Sequence, residues 1–401
     1  MKKVLSFFLF FPSITFGLSS VEIFPWGVIY AFTQLPRIHK ITLFIGFILI
    51  ISSVITGIAY SGIYMFESFR TSLAYLNVLI PFLIILNSSE ETFLFLAKII
   101  RIVLFTLISV GLIQLLVGNE NFGYFLSFFI PRAEGGVFGG GRGVSLLSSE
   151  PPRAAIELLF LYASYRIFLQ DSGSSVSKLL IYDLLIIFFI LLIVGSAVGT
   201  VVSLVYIIAL YRFKALLPFL IIGTIFYYYF LDTDIRAISV FYNIFQFVTY
   251  DEIFQQISNS SGFRVISVMS AYEYAIQNPF GGGIGSWPAT SIEALNASGV
   301  SPDSLDYFQY GYGGEFIPLR PSSFMANIAL DVGLVGILIV TGFIFYSIRN
   351  IILNKKYFPF VVLFLFSIYI VGAAGNPVPW VTLAVLIRYS AYNNHLVSQN
   401  A

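Results

Sequence analysis

Cysteine is absent from the 401-residue chain, and histidine occurs only twice, at His39 and His395. Thiolate nucleophiles, disulfides and Cys-ligated metal are excluded, and the absence suits an oxidising exterior. Charge is scarce as well: Asp, Glu, Lys and Arg make up 10% of the residues against 58% hydrophobic, and the mean hydropathy is +0.90. A chain with so little polar surface to offer water has the bilayer as its solvent. Period-2 alternation is missing too, which argues against a β-barrel, and neither an internal repeat nor a long soluble domain is visible.

What is present is a series of continuous apolar runs, each roughly fifteen to twenty residues long, and such runs predict helices. They fall at 4–18, 21–35, 41–60, 71–87, 98–117, 154–169, 179–195, 197–211, 215–231, 324–348, 357–374 and 378–392. The expected fold is therefore an all-α polytopic membrane protein of about twelve transmembrane helices, a single integral membrane domain over 1–401. Lys2 and Lys3 before an apolar run resemble a secretory signal, but no small-x-small cleavage pattern follows, so a retained first helix is expected. Fourteen of the 21 basic residues, including all eight lysines, fall on one side of this topology, which makes that side cytoplasmic and places both termini there. Both histidines fall on the same side, so neither zinc nor a histidine base is expected on the outer face.

The outer face receives only arginines: Arg70, Arg132, Arg142, Arg153, Arg236, Arg264 and Arg320. Guanidinium grips phosphate with a planar fork where ammonium offers a point charge; exclusion of lysine by topology alone accounts for the pattern equally well. Two outer segments stand out, a Gly-rich one at 118–153 and a long polar one at 232–323, which is expected to carry short amphipathic helices. In the larger, Val265, Val268, Met269, Tyr272 and Ile276 recur at helical spacing before Asn278-Pro279 stops the helix. Tyr307, Phe308, Tyr310 and Tyr312 follow, either as platforms for sugar rings or as ordinary interfacial aromatics. This segment holds nine carboxylates against three arginines, so any arginine that binds phosphate here does so as a placed ligand and not through a diffuse field.

Several residues have the chemistry for a site. Ser148-Ser149-Glu150-Pro151-Pro152-Arg153 opens the sixth span. Glu150 is either an acid complementing the helix dipole, with Arg153 paired to Glu157, or a base held beside an anion site. Gly135, Gly136, Gly139, Gly140, Gly141 and Gly143 surround Arg142, as an anion nest or as a linker. Asn278-Pro279-Phe280-Gly281-Gly282-Gly283-Ile284-Gly285 lies fourteen positions after Arg264. No strand precedes it and no Lys-Ser/Thr follows, so it is not a nucleotide loop. Its glycines fit close backbone approach to a ligand or to a neighbouring helix. Asp331 sits some eight residues into an apolar span and calls for a partner or a water-filled cavity.

The ordered set of Glu150-Pro151, Ser196-Ala197-Val198-Gly199-Thr200, Arg264 leading to Asn278–Gly285, and Asp331 to Gly336 resembles the O-antigen polymerase and ligase superfamily of bacterial envelope enzymes. The resemblance spans roughly residues 130–340. It implies a metal-independent enzyme of the bacterial inner membrane, without cofactor, that transfers glycan on the periplasmic face from an undecaprenyl-diphosphate carrier to an acceptor hydroxyl. By that resemblance Glu150 is the base or orients the acceptor, and Arg142, Arg153, Arg264 and Arg320 hold the diphosphate. Asn278, Pro279, Gly282, Gly283 and Gly285 shape the loop, and Asp331 belongs to the site. The implied partners are lipid-linked oligosaccharide donor and acceptor, membrane lipid, a chain-length regulator and a flippase, with no nucleic acid. Ligase members carry an outer-face histidine about nine residues before the late acidic position; Ser322 stands there, which favours a polymerase. Asp331 replaces the usual Glu, and Pro152 a small polar residue. The other readings are a ligase acting on lipid A-core, a lipid-linked oligosaccharide transporter, which usually shows related halves, and a scaffold without a catalytic site.

Overall fold

A computed structural model of the chain describes residues 2–14, 25–32, 62–130, 143–212 and 264–400, with a few positions between 47 and 59. Among these residues every regular element is helical: α1 (Lys2–Phe8), α2 (Trp26–Phe32), α3 (Met65–Leu86), α4 (Glu90–Val117), α5 (Asn119–Ser127), α6 (Pro151–Asp171) and α7 (Val176–Phe188). A π-helical turn, Phe189–Val194, continues α7, and α8 (Ala197–Tyr211) follows. After residue 264 come α9 (Arg264–Gln277), α10 (Trp287–Ala297), α11 (Asp306–Tyr312), α12 (Phe324–Ile352), α13 (Phe358–Phe366) with its π-helical continuation Ser367–Val371, and α14 (Val378–Asn400).

Four of these, α3, α4, α7 with its π turn, and α12, are long and apolar enough to cross a membrane; α8 and Phe358–Val371 are apolar but shorter. Their outward side chains are those of a membrane protein. Ile102, Phe105 and Leu116 on α4, Leu180, Ile181 and Leu185 on α7, and Leu338, Ile339 and Phe345 on α12 are 43–84% exposed, an outward apolar surface of the kind that a bilayer covers. The runs at 4–18 and 21–35 do not form continuous helices of that length. α1 stops at Phe8 in turns that bury Leu9, Phe10 and Phe11, because Pro12 lacks a donor and biases Phe11 away from the helical region; α2 begins only at Trp26, after the non-helical Pro25. The run at 215–231 and most of 41–60 lie outside the described residues, as does 232–263.

α6 is the central helix, in contact with α4, α7, α8, α13 and α14. Ala154 to Ser164 are buried without interruption, as expected of a helix surrounded on every side. Small residues bring neighbours close: a Cβ on Gly199 of α8 would lie 2.3 Å from the Ala155 Cβ. The two ends of α6 differ. At its C-terminal end Arg166 forms a buried 2.8 Å ion pair with Asp183 of α7, which also accepts from Tyr162 and Tyr211. Asp171 pairs there with Lys356, and Arg388 of α14 donates to Ser88 O, just beyond α3. The N-terminal end of α6 gathers the sequence-selected residues.

Candidate functional site

The chain enters α6 along a buried path. Val144 N donates to Ile193 O (3.1 Å), one of the carbonyls that the end of α7 leaves without an intrahelical partner. Gly143 is required there, since a Cβ would fall 1.9 Å from Val194 O. Gln114 near the end of α4 accepts from Leu146 N (2.9 Å), holding Leu146 at φ 56°, a conformation costly for a non-glycine residue. Ser148 Oγ then donates to the Glu157 carboxylate (2.5 Å), and Asn376 Nδ2 donates to its other oxygen (3.0 Å). Glu157 is 1% exposed, and a carboxylate that deep is tolerable only with partners of this kind. Through these two bonds Glu157 anchors the segment in front of Glu150.

Glu150 is the extended residue before the helix, and its side chain makes no capping bond. Pro151 and Pro152 follow directly and have no N–H to cap. Its carboxylate therefore reaches across to α9, where Arg264 Nη2 donates to Oε2 at 2.6 Å. The two side chains are 39% and 32% exposed, so solvent reaches the pair. Arg153, one turn into α6, donates from Nη1 to Ser149 Oγ (2.8 Å), which sets a second guanidinium beside Glu150 in sequence and on the same helix start.

Arg264 is placed by the loop that follows α9. α12 is broken at Gly333 (φ 70°, ψ −159°), and Asn278–Gly285 is sewn into the break. Gly282 N and Gly283 N donate to Leu330 O and Asp331 O (2.8 and 2.9 Å), while Val335 N donates to Pro279 O (3.1 Å). These bonds satisfy the backbone groups that the break sets free, a necessity at membrane depth. The Asp331 side chain adds Gly285 N on Oδ1 (3.0 Å) and the Tyr75 hydroxyl of α3 on Oδ2 (2.5 Å). Gly285 (φ 82°) has no room for a side chain, its Cβ position lying 2.3 Å from Ser68 Cα. Asn278 closes the helix by donating from Nδ2 to Tyr274 O (3.2 Å). Of the two uses foreseen for these glycines, close approach to a neighbouring helix is what the structure places here.

Arg320 donates from Nε to Asn327 Oδ1 (2.8 Å), and its charge acts on the Tyr75–Asp331 pair. It thus stands with the start of α12, bonded to Asn327. Arg142, Arg132, Gly135, Gly136, Gly139, Gly140 and Gly141 lie outside the described residues. The apolar stripe of α9 is divided: Met269 and Ile276 are 50% and 70% exposed, while Val268 is buried with Ala271, Tyr274 and Ala275 against Ala326, Ala329 and Leu330 of α12. Phe308 is fully buried against Ile266, Leu295 and Leu305, so it is core and no sugar platform, whereas Tyr310 is 80% exposed. Burial, with Tyr312 beside it, pushes the Tyr307 phenol up to about 12, leaving it a neutral hydroxyl.

Residues that sequence reasoning missed are Tyr75 and Asn376, and Tyr272 was named only for its place in the spacing of α9. Asn376 interrupts an apolar stretch before Pro377, which was a usable signal; the Tyr272 hydroxyl bond to Tyr369 O (2.6 Å), at the second π-helical turn, had none. Burial raises the Tyr272 pKa, so it remains a donor. The four sequence features thus form a chain in space: Gly199 touches α6 at Ala155, Glu150 at the head of α6 holds Arg264, and the Arg264 helix runs into the loop seated on Asp331.

No protein-family model, curated protein or solved structure matches the chain significantly.

Proposed function

We propose that this chain is a glycosyltransferase of the bacterial inner membrane that polymerises undecaprenyl-diphosphate-linked oligosaccharide repeat units on the periplasmic face. The observation that carries the reading is the Glu150–Arg264 pair, a carboxylate and a guanidinium brought together from 114 positions apart at the head of the central helix. In this reading Glu150 accepts the proton of an acceptor hydroxyl as its oxygen bonds to the anomeric carbon of the donor sugar. The bond from that carbon to the diphosphate oxygen breaks, and Arg264 and Arg153, with Arg142 and Arg320, stabilise the departing anion. About twelve crossings, outward segments at 118–153 and 232–323, and cytoplasmic termini complete the proposal. Ser322 at the position of the ligase histidine favours polymerisation over transfer to lipid A-core.

Purified protein supplied with lipid-linked repeat units should produce a ladder of longer glycans. Translocation without elongation would assign a transporter, transfer only to lipid A-core a ligase, and no reaction with any of these substrates would remove the enzyme reading.

A further inference from the structure

The Glu150–Arg264 pair has a property that a fixed structural salt bridge lacks. Glu150 stands ahead of two prolines, and Arg264 opens a helix whose far end is sewn into α12. Yet the charged groups themselves are about one-third exposed, at 39% and 32%. Pairs with that much solvent contribute little, whereas the buried Arg166–Asp183 pair at the other end of α6 has side chains 9% and 1% exposed. At 2.6 Å, Oε2 engages one Nη2 N–H of Arg264, and its negative charge there opposes a second anion on the same guanidinium fork.

We infer that Glu150 is the resting occupant of an anion seat on Arg264, and that a diphosphate group displaces it and thereby releases the carboxylate for the acceptor hydroxyl. The inference rests on the glycosyltransferase reading and adds an order to it: the lipid diphosphate donor binds before the acceptor is activated. The charge balance supports displacement. A diphosphate brings at least two negative charges and several oxygens spaced for the guanidinium fork, against one carboxylate oxygen now bound. Displaced, the carboxylate moves only by side-chain rotation, because Pro151 and Pro152 fix the backbone behind it. It stays within one side chain's reach of the seat. The proton of the acceptor oxygen then passes to Glu150 as the new C–O bond forms, and the electron pair of the breaking bond leaves with the diphosphate held by Arg264. Until a donor is seated, Glu150 is engaged and no hydroxyl, including that of water, meets a disengaged base.

The test is binding of inorganic diphosphate to the full chain in detergent, by calorimetry, with melting temperature measured on every sample. Removing the competing charge in Glu150→Gln should tighten diphosphate binding by about two- to five-fold, the range that an exposed pair allows, while Arg264→Ala should lose most of it. Glu150→Asp, which withdraws the carboxylate by one methylene, should fall between wild type and Gln. Equal or weaker binding by Glu150→Gln at an unchanged melting temperature would overturn the inference, since Glu150 would then orient Arg264 and not compete for it. Equal binding by wild type and Arg264→Ala would also overturn it. A wild type that makes glycan ladders while Glu150→Gln fails to tighten refutes the displacement alone. Tightening in a protein that makes no ladder keeps the seat and refutes the glycosyltransferase reading.

Discussion

Asp331 accepts the Tyr75 hydroxyl from α3 and the Gly285 amide from the loop, so deleting its carboxylate strands two buried donors at once. Each costs on the order of 1–3 kcal/mol when left unpaired. Asp331→Ala should therefore lower the melting temperature more than Tyr75→Phe, and the double variant should cost less than the sum, because one bond is counted in both; strict additivity would mean that the two side chains do not interact. Glu150 makes a different prediction. If it is the base, Glu150→Gln should lower polymer formation by about 10² to 10⁴ with little change in stability, whereas a helix-dipole role, worth about 0.3–1 kcal/mol, would shift the melting temperature slightly and leave turnover intact. Arg264→Lys, retaining charge without the fork, should be much less active than wild type, and full activity there would remove the guanidinium from the mechanism. Glu150 and Arg264 were legible in the sequence because a charge beside a proline-started helix, or before a glycine cluster, is unusual in so apolar a chain. Their meeting was not, since nothing in local pattern encodes a contact over 114 positions.

At the scale of elements, the glycines after α9 announced a close approach, but its partner was hidden. α12 reads as one apolar run marked only by Asp331, and the break at Gly333 is visible only once the loop is seen to supply Leu330, Asp331 and Val335 with their missing partners. The approach can be measured. Gly285→Ala would put a methyl group 2.3 Å from Ser68 Cα at φ 82°, whereas Gly299, at φ 69°, has nothing within 4 Å. Gly299→Ala should cost only the left-handed conformation, about 1–2 kcal/mol, and Gly285→Ala that amount plus displacement of α3 from the loop, about 3 kcal/mol or more in total. Equal losses of thermal stability in the two variants would show that the loop does not press on α3. On α9, Met269 and Ile276 face outward while Ile266, Ala271, Tyr274 and Ala275 turn inward, because in a chain whose exterior is itself apolar hydrophobic spacing alone does not select the buried face.

For the whole molecule, composition points to an apolar helical architecture, and among the described residues every regular element is helical; the runs at 197–211 and 324–348 match α8 and α12 within a few residues, whereas α4 begins eight residues before the run at 98–117. The short runs at the N-terminus do not, because Pro12 divides one of them and hydropathy averaging passes over a single proline. The orientation proposed from the arginine and lysine split is open to direct measurement, helped by the absence of native cysteine. A cysteine introduced at the exposed Ser304, in the turn before α11, should react with an impermeant thiol reagent in intact spheroplasts. Reaction only after lysis would invert the topology.

The seam between Asn278–Gly285 and the break in α12 also has a consequence for biogenesis. Ribosomal synthesis delivers Arg264 and its helix well before Val335, whose amide closes the last bond of the seam on Pro279 O. A nascent chain halted between the two therefore presents the glycine amides of the loop with nothing to receive them, and α9 has no bed to lie on. Glu150 has by then waited through more than a hundred residues of translation for its guanidinium. The bed of α9 is thus supplied by a helix made after it, and α13 and α14, which also pack on α6, come later still.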